Sequence, residues 1–204
     1  MSRPAPIRTG VLGSTRGSAL RPVVAAWRRG ELRADLSVVV SNRRNAPVLD
    51  YAREVGIPAV HVPAKDRPRE EFDAEVTAVL EEREVELVLM IGYLRIVSPP
   101  FVDRWRGRLV NVHPSLLPRH GGLMDLAVHR SVLAAGDVET GCTLHLAEEE
   151  VDQGPVILRK RCPVHPDDDP ETLKERVQAL EGSAFVELLR DPGRHLEALR
   201  REPA

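Results

Sequence analysis

Three observations predict an α/β fold with a mostly parallel sheet. Runs of strand-forming residues alternate with amphipathic helical stretches at the spacing of βαβ crossovers over roughly the first half of the chain. Leu36–Val40 and Leu87–Ile91 are nearly unbroken apolar runs, as strands buried on both faces require. After Asn111 the pattern changes: two strand-like runs, Cys142–Leu146 and Val156–Pro163, are joined by a connection short enough for an antiparallel pair at one side of the sheet.

The elements follow in order. A strand over Ile7–Leu12 enters the loop Gly13–Ser18, and a helix runs from about Ala19 to Arg29, with Pro22 in its first turn, where a missing N–H is tolerated. Ala46–Val55 reads as a helix stopped by Gly56, and Ala59–Val62 as a short strand. Phe72, Val76, Val79 and Leu80 recur on one helical face, which places a helix over Arg69–Glu84. The most apolar run, Leu87–Ile91, is a central strand. Gly107–Val110 begins another, which the prolines at 114 and 118 forbid from continuing. Helices follow near Leu126–Ala135 and over Pro170–Arg190, the latter burying Leu173, Val177, Leu180, Ala184 and Leu188. Helices on both faces of such a sheet describe a Rossmann-like fold. One domain is expected over residues 1–204, with a core at about 7–190 and a C-terminal tail at 191–204.

Composition narrows the function. With 204 residues, 42% hydrophobic and 29% charged, the chain can bury a substantial core without staples. A formal charge of -2 exerts no global pull toward nucleic acid or a membrane, so small molecules are the expected partners and any anion site must be local. The two cysteines, Cys142 and Cys162, lack metal-type spacing, and the 7 histidines form no helical pair or Cys/His cluster. No metal is expected. Without a secretory segment or an apolar stretch long enough to span a bilayer, the expected compartment is the cytoplasm. Nothing in the sequence sets the oligomeric state.

The chemistry concentrates in Asn111-Val112-His113-Pro114-Ser115-Leu116-Leu117-Pro118 and, further on, Val151-Asp152-Gln153-Gly154-Pro155. Residues two apart on a strand point the same way, so Asn111 and His113 project together at a strand's carboxyl end, where open α/β sheets bind ligands. Their N–H groups suit a developing oxyanion, and Asp152 supplies a carboxylate to orient the imidazole and help move protons. Taken alone, His113 also reads as a satisfied core histidine and Asp152 as a turn residue before Gly154. Upstream, Gly13–Ser18 joins the first strand to the first helix, where backbone N–H groups and the helix N-terminus make an anion cradle.

Taken together, these motifs resemble the folate-dependent formyltransferase family from Val11 to about Leu189, most strongly over Leu87–Leu158. The resemblance implies transfer of a formyl group from 10-formyltetrahydrofolate, a co-substrate, to the amine of glycinamide ribonucleotide in purine synthesis. It assigns Asn111, His113 and Asp152 to catalysis, and Arg16, Gly17, Ser18, Gln178 and Glu181 to the substrate's phosphate and ribose. It assigns Arg69, Leu94, Arg95, Ile96 and Val97 to the folate, and it makes Arg119–Asp125 a mobile loop beside the catalytic strand. The cradle departs from the family's Ser-Gly-x-Gly-Ser-Asn: Thr15 replaces a glycine and Ala19 the asparagine. An amino-sugar or nucleotide-linked amino-sugar formyltransferase is therefore the nearest alternative. A non-catalytic nucleotide-binding module is the alternative of another class.

Overall fold

A computed structural model describes residues 5–201. Its strands are β1 (Ile7–Leu12), β2 (Ala34–Ser41), β3 (Ala59–His61), β4 (Leu87–Met90), β5 (Leu109–His113), β6 (Glu139–Leu146) and β7 (Val156–Pro163). The helices are α1 (Leu20–Arg28), α2 (Pro47–Glu54), α3 (Arg69–Glu82), α4 (Pro99–Arg104), α5 (Leu126–Ala134), α6 (Pro170–Arg190) and α7 (Pro192–Arg201). The strands form one sheet in the order β3-β2-β1-β4-β5-β6-β7. The first five are mutually parallel, β6 is antiparallel to β5, and β7 is antiparallel to β6. This is the expected α/β sheet with helices on both faces and an antiparallel addition at one side.

Period-two alternation divides the core. Val11, Val39 and Leu89 face α1, α2 and α6, where Leu20, Val48, Phe185 and Leu188 are buried. Leu12, Val40 and Val88 face the other way, onto Phe72, Val76 and Leu80 of α3 and Phe101 of α4. Cys142 and Cys162 are buried free thiols within the first of these layers. The winding reverses at β1, whose neighbours are β2 and β4, and the crevice past the carboxyl ends of β1 and β4 is the topological switch point.

Several boundaries differ from expectation, each for a local reason. Gly107 has φ +68 and Arg108 precedes the strand, so β5 begins at Leu109 and carries Asn111 and His113 within its ladder. The short helix α4, which opens on Pro99 and Pro100, was not anticipated. Both prolines sit at its first turn, and Phe101 and Val102 are buried below them. The expected tail at 191–204 is largely the helix α7: Pro192 takes the first helical position, and Leu196 packs against the core. Residues 202–204 of that tail lie outside the described residues.

Helix α6 crosses α1 at Gly182, where an added Cβ would lie 2.3 Å from Pro22 Cγ and 3.3 Å from the Ala19 carbonyl oxygen. A proline ring cannot swing aside, so a larger residue must part the helices. Gly182→Ala should destabilise the fold by about 1–3 kcal/mol from overpacking, despite alanine's helix preference of about 1 kcal/mol over glycine. Urea midpoints would check this, and an unchanged or higher midpoint would mean that the crossing is loose.

Candidate active site

The loops after β1 and β4 meet at the switch point. Ser14 N–H donates to the Gly92 carbonyl at 3.0 Å, and the Ser14 hydroxyl accepts from Leu94 N–H at 3.0 Å while donating to Asn42 Oδ1 at 2.7 Å. These bonds hold the 92–97 segment against the cradle. Gly17 is buried with φ +59, and a Cβ there would lie 2.6 Å from Val48 Cγ2, so the turn requires glycine. Arg16 and Ser18 are exposed at its rim. No side chain caps α1 at Ala19; the Leu20 and Arg21 amides instead donate to the Gly17 and Ser18 carbonyls at 2.9 and 3.2 Å, which ties the helix start to the cradle turn. Because Gly182 packs on Pro22 and Ala19, α6 brings Glu181 beside this cradle, with Gln178 one turn before it. Glu181 is half-buried as a residue, yet burial pushes its carboxyl up to about 7, with Lys174 offsetting part of the effect.

Across the crevice, Leu94 and Ile96 are 38% and 58% exposed, while Val97 is buried beneath them. Such exposure of two branched aliphatics at a crevice supplies an apolar wall for a flat ligand. Arg95 lies 4.4 Å from the centroid of the Phe72 ring, with its Nε buried and unpartnered. Arg69 is exposed at the start of α3. Both guanidinium groups act on buried Asp73, which accepts from Ser98 N–H at 2.6 Å. Burial outweighs these stabilising contacts and raises the Asp73 carboxyl above its usual range.

The reacting end is a chain of contacts at the carboxyl end of β5. His113 Nδ1 is 3.0 Å from Asp152 Oδ2, and the side chains are only 4% and 5% exposed. The same Oδ2 accepts from Gly122 N–H at 2.8 Å. Burial alone would raise the Asp152 carboxyl, but the His113 side chain, then that of His145 and then the Gly122 N–H hold it well below the usual carboxylate range. The other nitrogen of His113, Nε2, is 3.0 Å from the backbone oxygen of His120. A ring whose two nitrogens both face oxygen acceptors is satisfied only when doubly protonated. Asn111 Nδ2 is 3.2 Å from Nε2 of His145, a residue that sequence reasoning missed. The missed signal was its place in the β6 run: the antiparallel register pairs Asn111 with His145 and His113 with Thr143.

The segment after β5 is closed down on this set. Thr143 Oγ1 donates to the Ser115 carbonyl at 2.7 Å and accepts from Leu117 N–H at 3.1 Å. His120, at φ +58, is pinned through its ring by Ser131 Oγ and Asp137 Oδ2, each at 2.8 Å. A cavity of about 410 Å³ lies behind this segment, lined by Leu117, Pro118, Asp137, Arg159 and others, but none of Asn111, His113 or Asp152 reaches it. Among the described residues no group of three or more His, Cys, Asp or Glu side chains is gathered as a metal site, and no helix is long and apolar enough to cross a membrane.

Comparison with known proteins supplies the family. The formyl transferase model matches residues 7–189. The chain belongs to the formyl transferase family. It is 36% identical over 177 residues to phosphoribosylglycinamide formyltransferase of Escherichia coli (strain K12), covering 86% of this chain and 82% of that one. It is 41% identical over 185 residues to the trifunctional purine biosynthetic protein adenosine-3 of Drosophila melanogaster, which covers 89% of this chain. The chain spans only 14% of that much longer relative. Among solved structures, glycinamide ribonucleotide transformylase 1 from Symbiobacterium toebii superposes with a TM-score of 0.87 at 36% identity, covering 92% of this chain and 88% of the other.

His129 of α5, for which the sequence suggested no role, is 2% exposed with Nδ1 unpartnered. Burial, then repulsion from Lys174, lowers it from 6.5 to about 4, with Asp125 opposing and His113 adding to the shift. The ring is therefore neutral in the fold, while the unfolded chain takes up a proton below about 6.5. The stability it contributes is present above pH 6.5 and is lost as pH falls through about 4. His129→Asn should flatten the decline in urea midpoint between those two pH values. An unchanged slope there would mean that the folded protein already holds the proton.

Proposed function

We propose that this protein transfers the formyl group of 10-formyltetrahydrofolate to the amine of glycinamide ribonucleotide, as a step of purine synthesis. The observation that carries the reading is the paired donor set at the end of β5, His113 with an oxygen at each ring nitrogen and backed by ionised Asp152, beside the Asn111 amide. Names borne by the relatives support the same chemistry. The residues present fit the co-substrate: Leu94, Ile96 and Val97 offer an apolar wall beside that set, and Arg69 and Arg95 offer positive charge further along. When bound, the folate supplies a formyl carbon attached to a nitrogen that can leave.

The protein's own groups do the rest. Asn111 and His113 Nε2 donate to the formyl oxygen as negative charge gathers on it, once the His120 carbonyl has withdrawn from Nε2. Asp152 stays charged and holds the ring through Nδ1; His113 gives its Nε2 proton to the departing folate nitrogen, and the neutral ring then takes the proton that the attacking amine sheds, so the pair ends as it began. Gly17, Ser18 and the turn that leads into α1 receive the phosphate, with Arg16 at the rim, and Gln178 and Glu181 take the phosphate side and the ribose. The expected partners are these small molecules and the expected setting is the cytoplasm. One observation favours a second reading with another amine acceptor: Thr15 Oγ1 is 3.4 Å from the Gly92 carbonyl, inside the turn where the family has a glycine.

Loss of one donor to a developing oxyanion costs about 10²–10³ in rate, or about 2.7–4 kcal/mol. Asn111→Ala and His113→Ala should lose turnover to that extent while a folate analogue still binds, and Asp152→Asn should follow them. Turnover within a few-fold of normal would remove the residue concerned from the mechanism.

The acceptor is read separately. Glycinamide ribonucleotide at 100 times its dissociation constant should stabilise the fold by about 2.7 kcal/mol. Ser18→Asp should abolish that shift and leave the folate shift intact, since Ser18 is exposed at the cradle and Gly17 admits no side chain. Release of tetrahydrofolate only when this acceptor is present supports the assignment. Transfer to a nucleotide-linked amino sugar alone would replace the acceptor, and binding without transfer to any amine would leave a non-catalytic nucleotide module.

A further inference from the structure

We infer that His145 is a positioning residue, a neutral imidazole protonated at Nδ1 whose bare Nε2 holds the Asn111 amide with its nitrogen toward the reacting centre. The inference rests on the formyl-transfer reading above and deepens it. An asparagine amide has two nearly isosteric ends, and rotation by half a turn about its last torsion exchanges a two-hydrogen donor for an acceptor. Only one orientation serves a reaction in which oxygen becomes negative. The other would present the amide's own carbonyl oxygen to that charge.

The contacts around His145 decide the orientation. Its Nδ1 lies 2.9 Å from the Leu146 carbonyl oxygen. A carbonyl only accepts, so Nδ1 carries the hydrogen. In the neutral ring Nε2 is then a lone pair, and its neighbour at 3.2 Å, Asn111 Nδ2, can only donate. A hydrogen on Nε2 as well would set two donors against each other across that contact. The carboxylate that would draw such a hydrogen, Asp152 Oδ1, is felt by the ring but stands at 3.6 Å, farther than the Asn111 amide at 3.2 Å, while its Oδ2 is occupied by His113 and Gly122.

Position and burial make the contact durable. His145 is 1% exposed and sits directly opposite Asn111 in the antiparallel ladder, so sheet register holds the two side chains together. One hydrogen of the Asn111 amide is taken by His145, which leaves the second for the formyl oxygen. His145 acts through Asn111 and touches neither substrate. Its removal should lower kcat and leave KM for both substrates near normal.

The test combines a double-mutant cycle with a spectrum of the unaltered protein. His145→Phe removes the acceptor and should lower kcat toward the Asn111→Ala level, at most about 10²–10³. His145→Gln places an oxygen near the Nε2 position and should recover much of that loss. In an Asn111→Ala background neither substitution at 145 should cost anything more. Losses that multiply in full across the two sites, or a raised KM with kcat unchanged, would overturn the inference. If the phenylalanine variant does not fold, the glutamine variant in both backgrounds carries the cycle. Nitrogen-15 spectra of the wild-type ring should show a pyrrole-like Nδ1 and a pyridine-like Nε2, and a protonated Nε2 at neutral pH would overturn it. The ring spectrum reads the tautomer whichever amine is the acceptor. A wrong acceptor and a wrong role for His145 are therefore told apart.

Discussion

The antiparallel register between β5 and β6 is the constraint on which the site depends. It sets Asn111 opposite His145 and His113 opposite Thr143, so one strand supplies both reacting side chains and the next supplies what holds them. A slip of one residue would turn every side chain of β6 to the other face and replace His145 and Thr143 with leucines. The connection to β7 then has to return Asp152 to His113. Gly154 makes that return possible: a Cβ there would lie 1.9 Å from the Leu146 carbonyl oxygen, so only a bare backbone passes. A bulge between Leu144 and His145 follows at once in the β6–β7 ladder, where sheets commonly re-aim a side chain.

The segment from Arg119 to Asp125 holds the atoms to which the proposed reaction would bring its substrate. The His120 carbonyl occupies Nε2 of His113, and Gly122 N–H occupies Asp152, so the loop satisfies both side chains of the pair. Hydrogen bonds involving charged groups contribute about 1.5–3 kcal/mol each, which is the scale against which a formyl oxygen must compete. The loop keeps His120 and Asp125 at positive φ, an arrangement disfavoured for residues with a side chain. Its anchors explain why the strain persists: the His120 ring is held by Ser131 and Asp137, and Asp125 is paired with Lys174 of α6.

Much of this was legible in the sequence because the informative signals were local. Apolar runs and helical periodicity located the sheet, its order of helices and the antiparallel side, and the two prolines after His113 marked where the strand ends. The Gly17 turn was equally legible, since a strand-to-helix glycine admits few geometries. What escaped were features set by pairing across the chain. His145 looked like one polar residue in an apolar strand until the register placed it beside Asn111. The carbonyl of His120 leaves no trace in a residue alphabet at all. Helix α7 escaped as well: the stretch from Asp191 was expected to be a tail, although Pro192 takes the first helical position, where proline is compatible with a start.

Burial sorts the ionisable groups of the site into different jobs without any change in their chemistry. His113 faces an oxygen acceptor at each ring nitrogen, while His129 one helix away meets a dry interior and a lysine and is held neutral. Asp152 receives N–H donors and stays a carboxylate, whereas Glu181 has mainly its desolvation and is pushed up to about 7. A carboxyl poised there donates as readily as it accepts, which suits contact with hydroxyl groups that do both. Lys174 links the two ends: it pairs with Asp125 at the start of α5, repels a proton from His129 and partly steadies the Glu181 carboxylate. Loss of that ammonium would therefore be felt at the loop anchor, at α5 and at the ribose side together, although it touches none of the reacting atoms.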